Sequence, residues 1–376
     1  MKKLLMGLLI GVSCLLALPA AARGEQVSTS AVGCIIIDAD SGRVLLEHNA
    51  HQALPMASTT KVMTALLAIE RGNLTDEVTC SRNAFGVPGT SIYLSEGETL
   101  TLEEMLYGLM MASGNDAATA IAEHIGGTVQ DFCLLMTERA RELGCENTVF
   151  LTPHGLPCDG HHTTCYDLAL IAREAMAHPV FRQIVSTSRA KIPWEGRDYD
   201  RVLNNKNRLL TTYEGATGIK TGYTKAAGRC LVFGAERNGL EIIGVVLNCY
   251  DWFNEAARLM NMAFERYESQ TMLQAGDEVA LLPVNDGLQE WVSVRLESDL
   301  KAAVPINALP QVEIALPEQV EAPIQYGDVL GVARMMLEGE TLAEVSLVAA
   351  ESVPRDDFNS RWQRYVSLWP LALEGR

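Results

Sequence analysis

The chain has 376 residues, 48% of them hydrophobic, and a formal net charge of −17. That length exceeds one ordinary domain and leaves room for two unequal cores. The acidic balance offers no basic patch to neutralise phosphates, which excludes nucleic acid as a partner.

Lys2-Lys3, an apolar stretch from Leu4 to Leu18 and then Ala20-Ala21-Ala22 read as a secretory signal peptide over residues 1–22. The apolar run is short for a membrane span and ends in small residues, so the mature chain starts near Arg23. Beyond Cys14, which lies in that run, come Cys34, Cys80, Cys133, Cys145, Cys158, Cys165, Cys230 and Cys249. An even count in an exported chain permits disulfides, and Cys158 with Cys165, flanking Gly160-His161-His162, is the best-placed pair. Their scattered spacing matches no compact framework, so free buried thiols are the favoured state.

Residues 31–38 predict a buried strand, Asp40-Ser41-Gly42 a turn, and residues 43–47 the returning strand. Ser58-Thr59-Thr60-Lys61 then opens a helix over residues 61–70, closed by Gly72. Ser58 and Lys61 share one face of its first turn, where free backbone N–H groups favour a developing negative charge. Thr101-Leu102-Glu103-Glu104 is a capping box that starts a helix over residues 105–111 running into Ser113. Asn115 stands at a helix–helix junction ahead of an alanine-rich helix over residues 116–125.

A helix over residues 166–176 follows, then strands over 219–223, 230–236 and 240–248 and a helix over 252–267. Strands at both ends with helices between them predict an α+β core whose sheet is mostly antiparallel. Residues 269–353 carry short alternating runs and predict a small all-β domain acting as spacer or stabiliser. Phe358, Trp362, Tyr365, Val366 and Trp369 fall on one helical face beside Arg361 and Arg364. An amphipathic helix over residues 354–376, lying on a membrane surface, is the favoured reading, with a helix docked on its own protein as the alternative.

Ser58-Thr59-Thr60-Lys61, Ser113-Gly114-Asn115 and Lys220-Thr221-Gly222 occur in that order, and together they supply what acyl transfer needs. Ser58 is the candidate nucleophile and Lys61 the candidate base. A lysine serves as a base only when its amine can be neutral, which burial or a nearby cation such as Lys220 encourages. Ser113 could relay a proton to the leaving amine, and Asn115 could hold the substrate amide and orient Lys61. Lys220 and Thr221 offer a charge and a hydroxyl to a substrate carboxylate, and Gly222 lets the strand edge come close.

Two decoys are present: Ser188-Arg189-Ala190-Lys191, where the following Ile192-Pro193 opposes a helix, and Ser81-Arg82-Asn83, a second Ser-x-Asn. His154, His161, Cys158 and Cys165 match no standard zinc spacing, so neither metal nor cofactor is expected.

The likeness extends to Thr152-Pro153-His154-Gly155-Leu156-Pro157, Tyr166-Asp167-Leu168-Ala169, Asn205-Lys206-Asn207-Arg208-Leu209-Leu210 and Ala227-Gly228-Arg229-Cys230. With these the chain resembles the low-molecular-weight penicillin-binding proteins, serine-type D-alanyl-D-alanine carboxypeptidases, strongly over residues 28–265. The resemblance implies a β-lactamase/transpeptidase-like domain over residues 23–268. It implies removal of the terminal D-alanine from the peptidoglycan stem peptide through an acyl-Ser58 intermediate, and acylation of the same serine by β-lactams. Lys220, Thr221, Gly222, Tyr223 and Thr224 would bind substrate, with the Ser58 and Tyr223 N–H groups as the oxyanion hole. The location would be peripheral, on the outer face of the cytoplasmic membrane.

Two positions depart from the family pattern. Trp252 stands where some relatives carry a carboxylate-binding arginine, which shifts that task towards Lys220, Thr221 and Thr224, and Arg229 is unusual in its place. A β-lactamase would need a deacylating glutamate, and the nearest look-alike, Asp200-Arg201-Val202-Leu203-Asn204, lies too close to Lys220. A non-catalytic sensor would have lost Ser58 or Lys61, and both are intact.

Overall fold

The computed structural model describes residues 24–358 together with Trp362. Its central sheet runs in the order Glu25–Gln26, Val44–His48, Gly33–Asp38, Leu240–Leu247, Gly228–Arg237, Ala216–Thr224. All its pairings are antiparallel except that of Glu25–Gln26 with Val44–His48. Gly33–Asp38 is buried along its whole length because it serves two cores at once. Successive side chains of a strand point to opposite faces. Ile35 and Ile37 accordingly enter the core beneath the helical cluster, while Cys34 and Ile36 enter the core beneath Trp252–Arg266.

The helices start where capping groups let them. Thr101 accepts from the Glu104 N–H and the Glu104 carboxylate accepts from the Thr101 N–H, the reciprocal box expected at Leu102–Tyr107. Thr128 and Thr164 cap Val129–Glu142 and Cys165–Ala177 in the simpler way, and Pro179 opens Pro179–Ser186. The helix expected over residues 105–111 is shorter than predicted. It ends at Tyr107 and continues as a wider π-type turn, Gly108–Ala112, which delivers Ser113 in a left-handed conformation at φ 64°. Val129–Glu142, Pro179–Ser186 and the hairpin Arg189–Ile192/Arg201–Asn204 were not anticipated.

From Tyr267 to Ala349 the regular elements are all strands. Tyr267–Leu273 pairs with Leu300–Pro305, and a six-stranded sheet encloses a separate core around Val292, Val294 and Leu347. This part is pinned to the turn after Gly33–Asp38. The Ala303 N–H donates to Asp38 Oδ2 at 3.0 Å and its carbonyl accepts from Arg43 Nη1 at 3.2 Å. Lys301 Nζ meets Asp40 Oδ2 at 2.8 Å.

All eight described cysteines are free, and Cys158 is exposed while Cys165 is buried, so the candidate bridge between them is absent. Phe358 and Trp362 are exposed, with their rings stacked at 6.4 Å. Tyr365, Val366 and Trp369 of the expected terminal helix, and the signal peptide over residues 1–22, lie outside the described residues. Among the described residues no helix is long and apolar enough to cross a membrane.

Candidate active site

Ser58 sits in a 3-10 turn, Ala57–Thr60, immediately before the helix Lys61–Arg71. Threonine hydroxyls tie this turn down: Thr59 Oγ1 donates to Met56 O at 2.6 Å and Thr60 Oγ1 to Ala57 O at 2.8 Å. Ala57 is held at φ 50°, a conformation that costs an alanine free energy and persists only because its surroundings dictate it.

Lys61 is fully buried behind Ser58. Its Nζ lies 3.2 Å from Ser58 Oγ, 2.7 Å from Asn115 Oδ1 and 2.8 Å from His154 O. Two of these partners can only accept, whereas the hydroxyl can also donate. A neutral amine has two N–H groups and one lone pair. It satisfies all three contacts by donating to Asn115 and His154 and accepting the Ser58 proton. Burial, then the charges of Lys220 and Lys206, hold the Lys61 pKa well below the ordinary lysine value. An ammonium would fill the same three contacts by donating to each, so the geometry accommodates either state. It is burial with the two neighbouring cations that favours the neutral one.

Asn115 is fixed at both ends of its amide, because Nδ2 donates to Pro88 O at 2.6 Å while Oδ1 faces Lys61. One amide N–H remains for another acceptor. Asp116, next along the helix Asn115–Gly126, accepts from Ser91 Oγ and from the Ile92 and Leu94 N–H groups. That carboxylate holds the loop whose Thr90 hydroxyl donates to Ser113 O at 2.5 Å.

The segment after Phe150 forms the far wall. Pro153 O accepts from Thr64 Oγ1 at 2.6 Å, one turn along from the Lys61 contact with His154 O. His161 Nδ1 accepts from the Leu151 N–H at 3.0 Å, so its other nitrogen carries the proton and donates to Thr60 Oγ1 at 2.9 Å. Burial pushes the His161 pKa down to about 4 and that of His154 to about 3, the latter helped by Lys61. Both rings are therefore neutral struts. Among the described residues the one group with metal-like spacing is Glu70, Glu174 and His178, and Arg139 already bridges its two carboxylates at 2.8 and 3.0 Å.

The strand Ala216–Thr224 forms the edge of the sheet beside Ser58. A Cβ on Gly222 would lie 2.9 Å from the Ser58 nitrogen and 3.0 Å from that of Thr59, so only glycine permits this approach. Lys220 is 1% exposed and its Nζ donates to Thr221 O at 3.0 Å. Burial, reinforced by the Lys206 charge, lowers its pKa to about 7.

Ser58, Ser113, Asn115, Thr221, Gly222, Tyr223 and Thr224 line one cavity of about 400 Å³, with Lys61 and Lys220 behind its walls. Trp252 is part of the lining. Lys206 also lines it, although sequence reasoning gave it no role. Its position between two asparagines was visible, but only the fold brings that turn to the cleft. Arg229, opposite Tyr223 in the sheet, holds Tyr250 by donating to its carbonyl at 2.5 Å and by lying 4.8 Å over its ring.

Residues 20–250 match the model of the D-alanyl-D-alanine carboxypeptidase peptidase family, and residues 267–355 match that of the penicillin-binding protein 5 C-terminal domain. The chain belongs to this D-alanyl-D-alanine carboxypeptidase family. It is 33% identical to D-alanyl-D-alanine carboxypeptidase DacF of Bacillus subtilis, over 98% of this chain and 99% of that one. DacC of Escherichia coli is 31% identical over 98% of this chain and 96% of its own. Among solved structures, penicillin-binding protein 5 of Haemophilus influenzae superposes with a TM-score of 0.74 at 27% identity, covering 88% of this chain and 99% of its own. The family's two-part layout, a mixed helical and sheet unit followed by an all-β unit, is the layout described above.

Proposed function

We propose that this chain is a serine-type D-Ala-D-Ala carboxypeptidase that removes the terminal D-alanine of peptidoglycan pentapeptides through an ester on Ser58. The observation that carries the reading is the buried Lys61 amine, held by Asn115 Oδ1 and the His154 carbonyl at 3.2 Å from Ser58 Oγ. Ser58 Oγ attacks the carbonyl of the penultimate D-alanine as its proton passes to Lys61. The oxyanion is held by the N–H groups of Ser58 and Tyr223. Collapse breaks the peptide bond, the leaving amine takes a proton through Ser113, and water then hydrolyses the ester. A β-lactam acylates the same oxygen when its ring opens.

Asp200, in the stretch that most resembles a deacylating motif, lines a different cavity with Trp194 and Tyr199, which favours a peptidase over a β-lactamase. The leader-like residues 1–22 and the exposed Phe358 and Trp362 support export and a peripheral position on the outer face of the cytoplasmic membrane.

The test is mass spectrometry of the purified chain after penicillin, beside D-alanine release from a peptide ending D-Ala-D-Ala. A lasting adduct on Ser58 with D-alanine release is the expected result. Rapid loss of the adduct with penicillin turnover would favour a β-lactamase, and no adduct would remove Ser58 from the mechanism.

The pH profile follows from the two lysines. Lys61 must be neutral, so kcat/KM rises with pH through its lowered pKa. Lys220 acts as a cation and titrates near 7, so kcat/KM falls as pH rises beyond that value. A bell whose alkaline limb lies near pH 7 is expected, and Lys220→Arg should push that limb upward because a guanidinium keeps its charge. An unmoved limb would mean that another group sets it.

A further inference from the structure

The hairpin Arg189–Ile192/Arg201–Asn204 joins two cavities. Its base runs on through Asn205 to Lys206 at the cleft. Its tip, residues 193–200, folds against Thr99 and Leu100 and borders a separate cavity of about 490 Å³. That volume falls in the range of small-ligand sites, about 300–1,000 Å³.

The indole of Trp194 lies against the Arg201 guanidinium, 4.9 Å from the ring centroid. Arg201 is buried and fixed in turn, donating to Glu98 Oε1 at 2.7 Å, Pro193 O at 3.0 Å and Tyr93 O at 3.5 Å. Tyr199 stands at 84° to the indole with its centroid 5.8 Å away, so the two rings make a corner, and Tyr199 is 60% exposed. Around the corner lie Glu195, Asp198 and Asp200, exposed carboxylates with no hydrogen-bond or ion-pair partner among the described residues.

This lining excludes several ligand classes. Three carboxylates against the one guanidinium of Arg197 repel an anion. Leu100 and Pro193 offer too little aliphatic surface for an acyl chain. A cation would suit the carboxylates, but the indole already faces Arg201 and, at 5.7 Å, Arg197. What remains is a neutral ligand with a flat apolar face for the Tyr199 ring and several donors for carboxylates that only accept. A sugar ring has that form, with C–H groups on its face and hydroxyls and amide N–H groups at its edge.

We propose that this cavity is a sugar-binding subsite, which takes the glycan strand that carries the stem peptide. The sugar class follows from the lining, and that the sugar belongs to the substrate rests on the carboxypeptidase reading above. Arg201 and Lys206 are five residues apart, hence at most about 18 Å, and a pentapeptide has the same reach, so one substrate can occupy both cavities. The cavity is also tied to the cleft, because Tyr93 and Glu98 belong to the loop that Asp116 gathers beside Asn115. Holding the strand at a second point raises the effective concentration of its peptide at Ser58.

The test uses one pentapeptide ending D-Ala-D-Ala, both free and attached to a short glycan of N-acetylated sugars, and measures binding of the same glycan without peptide by calorimetry. The wild type should bind the bare glycan and cleave the attached peptide with about 10-fold higher kcat/KM, mostly through KM. Tyr199→Ala should lose the binding and the preference while cleaving the free pentapeptide as before. Tyr199→Phe keeps the ring and should retain both. A wild type that does not bind the glycan, or that cleaves both forms equally, would overturn the proposal, as would binding unchanged in Tyr199→Ala. Glycan binding that Tyr199→Ala abolishes, without D-alanine release from either substrate, would uphold the sugar site and overturn the carboxypeptidase reading instead.

Discussion

Lys61→Ala should reduce acylation of Ser58 by about 10²- to 10⁴-fold while the fold stays assembled. The substitution removes the amine proposed to receive the serine proton, and His154 offers Lys61 only its carbonyl. It also leaves Asn115 Oδ1 and His154 O without their donor inside the protein. That loss is expected to cost about 1–3 kcal/mol of stability. The extensive core around the helix Lys61–Arg71 can absorb it. Penicillin labelling followed by mass spectrometry, with thermal unfolding alongside, separates the two effects. Undiminished labelling would remove Lys61 from the role of base. Lys61→Arg should be as inactive as the alanine variant, because a guanidinium retains its proton.

Gly155→Ala is expected to be the most damaging single change in the cleft wall. Gly155 has φ +83°, where an alanine is strained, and its Cβ would lie 1.8 Å from Ala57 O and 2.8 Å from Thr60 Oγ1. Neither neighbour can yield cheaply. Ala57 O is backbone in the turn that carries Ser58, and Thr60 Oγ1 is bonded to both Ala57 O and His161. Either the nucleophile turn shifts or the wall bearing His154 O swings away from Lys61. A loss of more than about 4 kcal/mol is expected, together with loss of labelling. Gly160→Ala offers the comparison: it also has positive φ, at +89°, but its Cβ would meet nothing closer than Leu151 Cδ1 at 3.4 Å. It should lose only the conformational cost of about 1–2 kcal/mol and keep its labelling. Similar outcomes for the two variants would show that the contact with Ala57 is not what matters.

Much of the site could be read from local signals, because spacing and backbone rules place those residues. The pair Ser58 and Lys61 follows from one helical turn, and the capping box at Thr101 is written in four consecutive residues. The strand boundaries were close to those expected, as at Gly33–Asp38 and Leu240–Leu247. What stayed hidden depends on tertiary context. The wider turn Gly108–Ala112 looks like ordinary helix in sequence, yet it decides where Ser113 points. His154 contributes a backbone carbonyl, which has no residue-type signature at all. Asp116 reads as an acidic residue in a helix's first turn, and only the fold reveals the loop it gathers. Arg229 finds a partner in Tyr250 that no local signal announces.

The contacts of Asp38, Arg43 and Asp40 with Ala303 and Lys301 have a mechanical consequence. Ala303 also packs into the apolar core shared by Gly33–Asp38 and the helix Trp252–Arg266. A push or pull on the all-β part therefore enters the central sheet through several bonds well away from the covalent junction near Tyr267. The load is shared between chain and contact, as at a bolted joint rather than a hinge. Whatever orients the all-β part also aims the cleft, and Asp38→Ala should loosen that aim before it alters the chemistry.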